Sequence, residues 1–185
     1  MIDKAEAIIL ASELSRLGLR TAHVSLLSGL SKDACTKLHR LELGRSASKG
    51  MLPYSTDWYL AWRNNMHASL FLKLYSGMGT GGDRELTLNG YTGVFSTISK
   101  EARQFLSAYK RYRAHVQEAG DEILLSAQRA YFATQVLGSE MHLAPCPECG
   151  QLHLTYTYDL AKVCGNCFVP SRVDRATPTM SLRAQ

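Results

Sequence analysis

Cys146-Pro147-Glu148-Cys149-Gly150 and Cys164-Gly165-Asn166-Cys167 are two C-x2-C pairs with fourteen residues, 150–163, between them. Two residues between thiolates let one tight turn aim both sulfurs at a single point. Two such turns facing each other make the tetrahedral four-sulfur cage that zinc prefers, with Zn–S near about 2.3 Å. Four thiolates leave no position open for a substrate, so the spacing predicts one structural Zn2+ held by Cys146, Cys149, Cys164 and Cys167. Gly150 and Gly165 sit where such turns often need left-handed backbone. Between the pairs, Leu152, Leu154, Tyr156 and Tyr158 alternate with His153, Thr155, Thr157 and Asp159. Period two predicts a strand with one covered face, and a strand between two cysteine turns is a zinc ribbon. A disulfide needs an oxidising compartment, and a thioredoxin-type site needs one C-x2-C in a βαβ unit rather than two pairs. His142 and His153 are the reserve ligands, needed only if a cysteine is not used.

Upstream of the cysteines the chain reads as helices. Its 185 residues, 45% of them apolar, suffice for a core. No apolar run approaches membrane-spanning length, and the charged start Met1-Ile2-Asp3-Lys4-Ala5-Glu6 is no secretory signal. The expectation is a cytoplasmic protein whose thiols stay reduced for metal. Net charge is +5, a moderate pointer to a polyanionic partner. Part of that surplus lies in residues 1–50, which carry eight Lys/Arg against five Asp/Glu.

Residues 3–19 predict a first helix, with Asp3 and Glu6 as a capping box and Ile8, Ile9, Leu10, Leu14 and Leu17 as its apolar face. Residues 20–43 fit a helix-turn-helix. Val24, Cys35 and Leu38 dock the two helices, Ser25 is the small residue at their contact, Gly29 centres the turn and Ser31 caps the second helix. The outer face of that helix then carries Lys32, Asp33, Thr36, Lys37, His39 and Arg40, suited to phosphates and base edges in a major groove. Of these, Lys32, Thr36, Lys37 and Arg40 are the candidate DNA contacts, joined by Lys49 in the following linker and by Arg172 and Arg175 in the tail. The linker is 44–53, rich in Gly and Ser and ending at Pro53.

A helix capped by Ser55 or Thr56 is predicted to run to about Tyr75. It is apolar nearly all round, hence buried on several sides. Trp58, Tyr59 and Trp62 at its start are the residue types that partner interfaces favour, and form the candidate interface. His67 reads as a packed or solvated histidine rather than a ligand. Residues 76–93 form a Gly-rich connector without the Gly-Lys-Ser/Thr of a P-loop. Two more helices follow: one from Ser96 or Thr97 to about Val116, with Ile98, Ala102, Phe105, Tyr109, Tyr112 and Val116 inward, and one over about 121–138, with Leu124, Ala127, Tyr131, Thr134 and Leu137 inward.

The fold class is therefore mainly α: a helical domain with a helix-turn-helix-like N-terminal part and a small C-terminal four-cysteine zinc ribbon. Its expected divisions are 1–43 (N-terminal helices), 44–141 (helical body and partner interface), 142–170 (ribbon) and 171–185 (tail). No paired-carboxylate motif, G-x-S-x-G, H-E-x-x-H or Walker motif is present, which argues against an enzyme.

The run from Lys49-Gly50-Met51-Leu52-Pro53-Tyr54-Ser55-Thr56-Asp57-Trp58-Tyr59 to His67-Ala68-Ser69, together with the four cysteines, resembles the flagellar transcriptional activator FlhC family. The resemblance covers most of the chain. It implies a bacterial cytoplasmic regulator that joins the small helical protein FlhD in a hetero-oligomer of four FlhD and two FlhC, binds promoter DNA and activates flagellar operons with RNA polymerase. It also implies zinc on Cys146, Cys149, Cys164 and Cys167. Two departures stand out: the stretch around Gly77–Gly93 is longer than the family pattern, and the tail has scattered arginines in place of a dense basic run. The alternative from another class is a zinc-containing adaptor that binds only protein.

Overall fold

A computed structural model describes residues 4–47, 50, 55–80, 97–159 and 162–170. Lys49, Arg172, Arg175 and the 81–93 part of the Gly-rich stretch lie outside them. The chain is mainly helical, with six α-helices and one two-stranded sheet among the described residues. It divides into two compact units, 1–52 with 77–107 and 53–76 with 108–185.

The first unit is built on α1 (Lys4–Arg16), α2 (Thr21–Ser28) and α3 (Lys32–Leu43), each packed against the other two. Gly29 ends α2 at φ +73°, where its N–H donates to the Ser25 carbonyl, and the Ser31 hydroxyl accepts from the Ala34 N–H at 3.2 Å. This is the turn glycine and helix cap that the sequence predicts. Val24 and Cys35 are fully buried between the helices. Two expectations need correction. On α1 the packed face is made of Ala7, Ala11, Leu14 and Ser15, while Ile8 and Ile9 are exposed, because small residues let the neighbouring helices approach closely. On α3, His39 lies inward, 7% exposed, and Leu38 is only half-buried. With 3.6 residues per turn, Cys35 and His39 are one turn apart and share the docking stripe.

In the second unit, residues Asp57–Leu60 form a 3-10 turn, Ala61 is extended (φ −62°, ψ 135°), and α4 begins only at Trp62, running to Thr80. The expected single helix from Ser55 or Thr56 is therefore broken. Asn64 and Asn65 explain the break: their amides donate to the Trp58 and Tyr59 carbonyls at 3.1 and 2.9 Å, satisfying groups that a continuous helix would have paired itself. At its other end α4 continues past Gly77, into the expected connector.

Helix α5 (Thr97–Glu118) places Tyr109, Tyr112 and Val116 inward as its period predicts. Helix α6 is shorter than expected, Ala127–Val136, with Ser126 as its cap. The residues before it are held by the Asp121 carboxylate instead, which accepts from the Glu122 N–H and pairs with Arg63 at 2.6 Å. Leu125, not Leu124, is the buried leucine there. His67 is packed. Its Nδ1 lies 2.7 Å from the Tyr112 hydroxyl and its Nε2 3.5 Å from Asp121, and burial holds its pKa below the usual histidine value. The Tyr112 oxygen accepts from the Leu125 N–H, so its O–H is free to donate to Nδ1, leaving Nε2–H to face the carboxylate.

The sheet pairs β1 (Met141–Pro145) antiparallel with β2 (Leu152–Tyr156), in the register His142 to Thr155 and Ala144 to His153. Strand β1 has no counterpart in the sequence reading. The expected single covered face of β2 is also corrected: His153, Leu154 and Thr155 are all buried.

Candidate metal centre

The first cysteine pair is the turn of the β1–β2 hairpin. The Cys146 N–H donates to the Gln151 carbonyl at 2.9 Å and the Gly150 N–H to the Cys146 carbonyl at 2.8 Å. Gly150 closes this turn at φ +71°, a conformation that costs a side-chain-bearing residue energy. The second pair is a turn of the same kind, with the Cys167 and Phe168 N–H groups donating to the Cys164 carbonyl at 3.1 and 3.0 Å. Gly165 is needed for a different reason from the one the sequence suggests. Its backbone is not left-handed; a Cβ there would lie 2.9 Å from Met66 Cγ and 3.1 Å from the Trp62 carbonyl oxygen.

Helix α4 holds the second turn and strand β2. Trp62 Nε1–H donates to the Gly165 carbonyl at 2.6 Å. Asn65 Nδ2 donates to the Leu154 carbonyl at 2.7 Å, and the Leu154 N–H donates to Ser69 Oγ at 2.8 Å. The outer edge of β2, which a third strand would otherwise cover, is thus closed by two side chains of a helix. Sequence reasoning singled out Trp62 for a partner interface and missed Asn65 and Ser69. The available signal was Asn65, Ser69 and Lys73, a polar stripe at i, i+4, i+8 on an otherwise apolar helix.

All four sulfurs lie within 4.8 Å of one another. Cys149 and Cys164 are 3.6 Å apart, Cys146 and Cys167 4.0 Å. A tetrahedron with Zn–S of about 2.3 Å has edges of about 3.8 Å. The donor set therefore fits a four-thiolate metal site in both type and spacing. Neither His142 nor His153 belongs to the cluster. Cys146 and Cys164 are buried, Cys149 is exposed and Cys167 lies between.

The sulfurs differ electrostatically. Burial pushes the Cys146 thiol up, but the backbone N–H groups of Cys164, Cys149 and Glu148 outweigh it and hold the group down at about 6. The Cys164 N–H donates directly to its sulfur at 3.4 Å. Burial raises Cys164, while Cys167 is raised chiefly by sharing a proton with the Cys149 sulfur. The backbone thus favours the thiolate at Cys146, and the other sulfurs would give up protons on binding a metal.

A family model described as flagellar transcriptional activator (FlhC) matches residues 1–179. The chain belongs to the FlhC family. Curated FlhC relatives named flagellar transcriptional regulator span the whole chain. The one from Gallionella capsiferriformans (strain ES-2) is 35% identical, over all of this chain and 95% of its own length. That from Paraburkholderia atlantica is 34% identical, over all of this chain and 80% of its own. That from Nitrosomonas eutropha is 30% identical, over all of this chain and 91% of its own. An FlhC-family chain is a flagellar transcription regulator, not an enzyme.

The other residues singled out from the sequence separate into groups. On α3 of this FlhC-family chain, Lys32, Lys37 and Arg40 are exposed, and half-buried Thr36 turns its hydroxyl back to the Lys32 carbonyl at 2.8 Å. Tyr59 is fully buried, its hydroxyl donating to the Arg129 carbonyl. Trp58 is half-buried, with the Arg129 guanidinium 4.2 Å from its ring centroid, and Trp62 is engaged at Gly165. Among the described residues no helix is long and apolar enough to cross a membrane.

Proposed function

We propose that the chain is a zinc-containing, DNA-binding activator of flagellar operons, acting in the cytoplasm in a hetero-oligomer with FlhD (four FlhD to two FlhC) and recruiting RNA polymerase. The observation that carries the reading is α3. It is capped and docked as the second helix of a helix-turn-helix, and it presents Lys32, Lys37 and Arg40 to solvent within a chain whose family regulates transcription. These side chains neutralise phosphates, with Thr36, Lys49, Arg172 and Arg175 as further contacts. Zinc at the four cysteines is structural: it fixes the ribbon and, through it, the start of α4. Trp58 and Trp62, backed by buried Tyr59, form the partner-facing edge of that region.

Fluorescence anisotropy of a labelled flagellar promoter fragment, with FlhD present and over a salt series, tests this. Binding weakens steeply with salt, and replacing both Lys37 and Arg40 by Ala lowers affinity and flattens the salt slope by about two contacts. Absence of binding at low salt, with and without FlhD, supports instead an adaptor that touches only protein.

A further inference from the structure

Zn2+ with four thiolates carries two net negative charges, and two of the four cysteines are buried. Buried charge is costly unless it is paired. Backbone N–H groups supply partial compensation, as at Cys146. The rest can come from solvent at exposed Cys149 or from a side chain that carries a full positive charge.

Beside the ribbon, against α4, lies a small cavity whose lining includes Ser69, Lys73, Gln151, His153, Cys164 and Gly165. Lys73 is the one cation among the residues that line it. It sits one turn beyond Ser69 on the polar stripe that docks the ribbon; burial lowers its pKa, and the Cys164 and Cys149 sulfurs work against that, favouring the charged form. Two other lining residues carry an acceptor without a donor. Gln151 Oε1 and His153 Nε2 are buried without a hydrogen-bond partner. For His153 the tautomer follows from its other nitrogen: Nδ1 lies 3.0 Å from the Ala144 carbonyl, which can only accept, so Nδ1 carries the proton and Nε2 is a bare lone pair. The cavity thus joins an anionic cluster and two unmet acceptors to one ammonium with three N–H donors.

We propose that Lys73 is the counter-cation of the metal centre, neutralising part of the tetrathiolate charge and tying α4 to the loaded ribbon. It is a positioning residue, not a ligand. Its role rests on the zinc reading above and goes beyond it: metal loading and the docking of α4 become one event, because the ammonium is held most tightly when all four sulfurs are ionised.

The test measures zinc loss from the full-length chain into excess chelator, followed with a chromogenic zinc indicator. Compared are the unaltered protein, Lys73→Met, Lys73→Gln and Lys73→Arg. Cobalt substitution, read by its thiolate charge-transfer absorption, reports whether each variant still builds the four-sulfur cage. Met and Gln release zinc roughly 10-fold faster, as expected for the loss of an outer-sphere partner. Arg stays closer to the unaltered rate, because it keeps the charge. Should Met fail to fold, Gln, which keeps polarity and most of the length, decides alone. Equal release from Met, Gln and unaltered protein overturns the role of Lys73, and so does an Arg variant as fast as Met. Unaltered protein that binds neither zinc nor cobalt is a different failure, that of the zinc reading itself, and the counter-cation falls with it.

Discussion

The three N-terminal helices and the ribbon-bearing unit are closed by opposite means. In α1–α3 most of the hydrogen bonds are short in sequence, as the Gly29 N–H to the Ser25 carbonyl, the Ser31 cap on Ala34 and Ser28 Oγ on the Val24 carbonyl, and those that tie α1 to α3, from Ser12 and Arg16 to Glu42, span 30 and 26 positions. Around the ribbon they are long. Trp62 meets Gly165 across 103 positions, Thr56 meets Tyr156 across 100, and Asn65 and Ser69 meet Leu154 across 89 and 85. Local contacts close small loops and cost little chain entropy. Distant ones must close large loops before any contact rewards them. A structure of the second kind gains most from a strong cross-link, which the proposed metal at the four cysteines would supply. On that reading metal matters most to the unit that cannot be assembled from neighbours.

Removing the metal is the severest way to break that contrast. Structural zinc contributes on the order of 10 kcal/mol to the modules it organises. Cys149→Ser, or exhaustive chelation, should release zinc, melt the β1–β2 hairpin and free Leu154 from Asn65 and Ser69. Hydrogen exchange read by mass spectrometry checks it. Peptides covering 141–168 should lose protection to the level of an unfolded chain, while those covering 21–43 keep theirs. Equal loss in both regions would show that the N-terminal helices depend on the metal too, and the contrast would be wrong.

A smaller effect comes from crowding the contact instead of cutting the bond. A methyl group at position 165 meets Met66 Cγ, which can swing away, and the Trp62 carbonyl, which cannot. Gly165→Ala should therefore destabilise the second unit by about 1–3 kcal/mol, the usual range for overpacking. It should also speed zinc loss. Adding Met66→Ala should restore only part of the stability, because the backbone contact remains. Full restoration in urea unfolding would mean that Met66 alone set the spacing.

The same contrast governs what the residues disclosed. Helix period, the glycine stop and the serine cap are local signals, so the Gly29 turn and the Ser31 cap could be read directly. Four cysteines with C-x2-C spacing are legible too, since the spacing itself encodes a turn. What was hidden is what distance conceals. That Asn64 and Asn65 would interrupt a helix by taking the Trp58 and Tyr59 carbonyls depends on where those carbonyls lie. That His153 and Thr155 would be buried beside Leu154, on a strand of apparent period two, depends on what covers its second face. Gly165 looked like a turn glycine because a sequence shows that a Cβ is missing, not what occupies its place. His39 was misplaced for a simpler reason. A histidine beside Lys37 and Arg40 reads as polar surface, yet its position one turn after Cys35 puts it on the buried stripe.

The mildest change probes the local side of the comparison. Ser31 Oγ accepts from the Ala34 N–H, one of the amides that no helical carbonyl can reach. Ser31→Ala strands that donor and should cost about 1 kcal/mol, with Ser31→Asp close to the unaltered protein because it caps equally well. Asp33, in the first turn, stays in place in both variants and keeps its favourable interaction with the helix dipole, which limits the damage. The loss should appear as faster exchange in α3 and as weaker promoter binding, since fraying at Lys32 loosens one of the proposed phosphate contacts. Zinc release should not change. That last outcome carries the weight: a cap that closes a three-residue gap has no route to a site held by contacts about a hundred positions long, unless the two modes of closure are less separate than the hydrogen bonds make them.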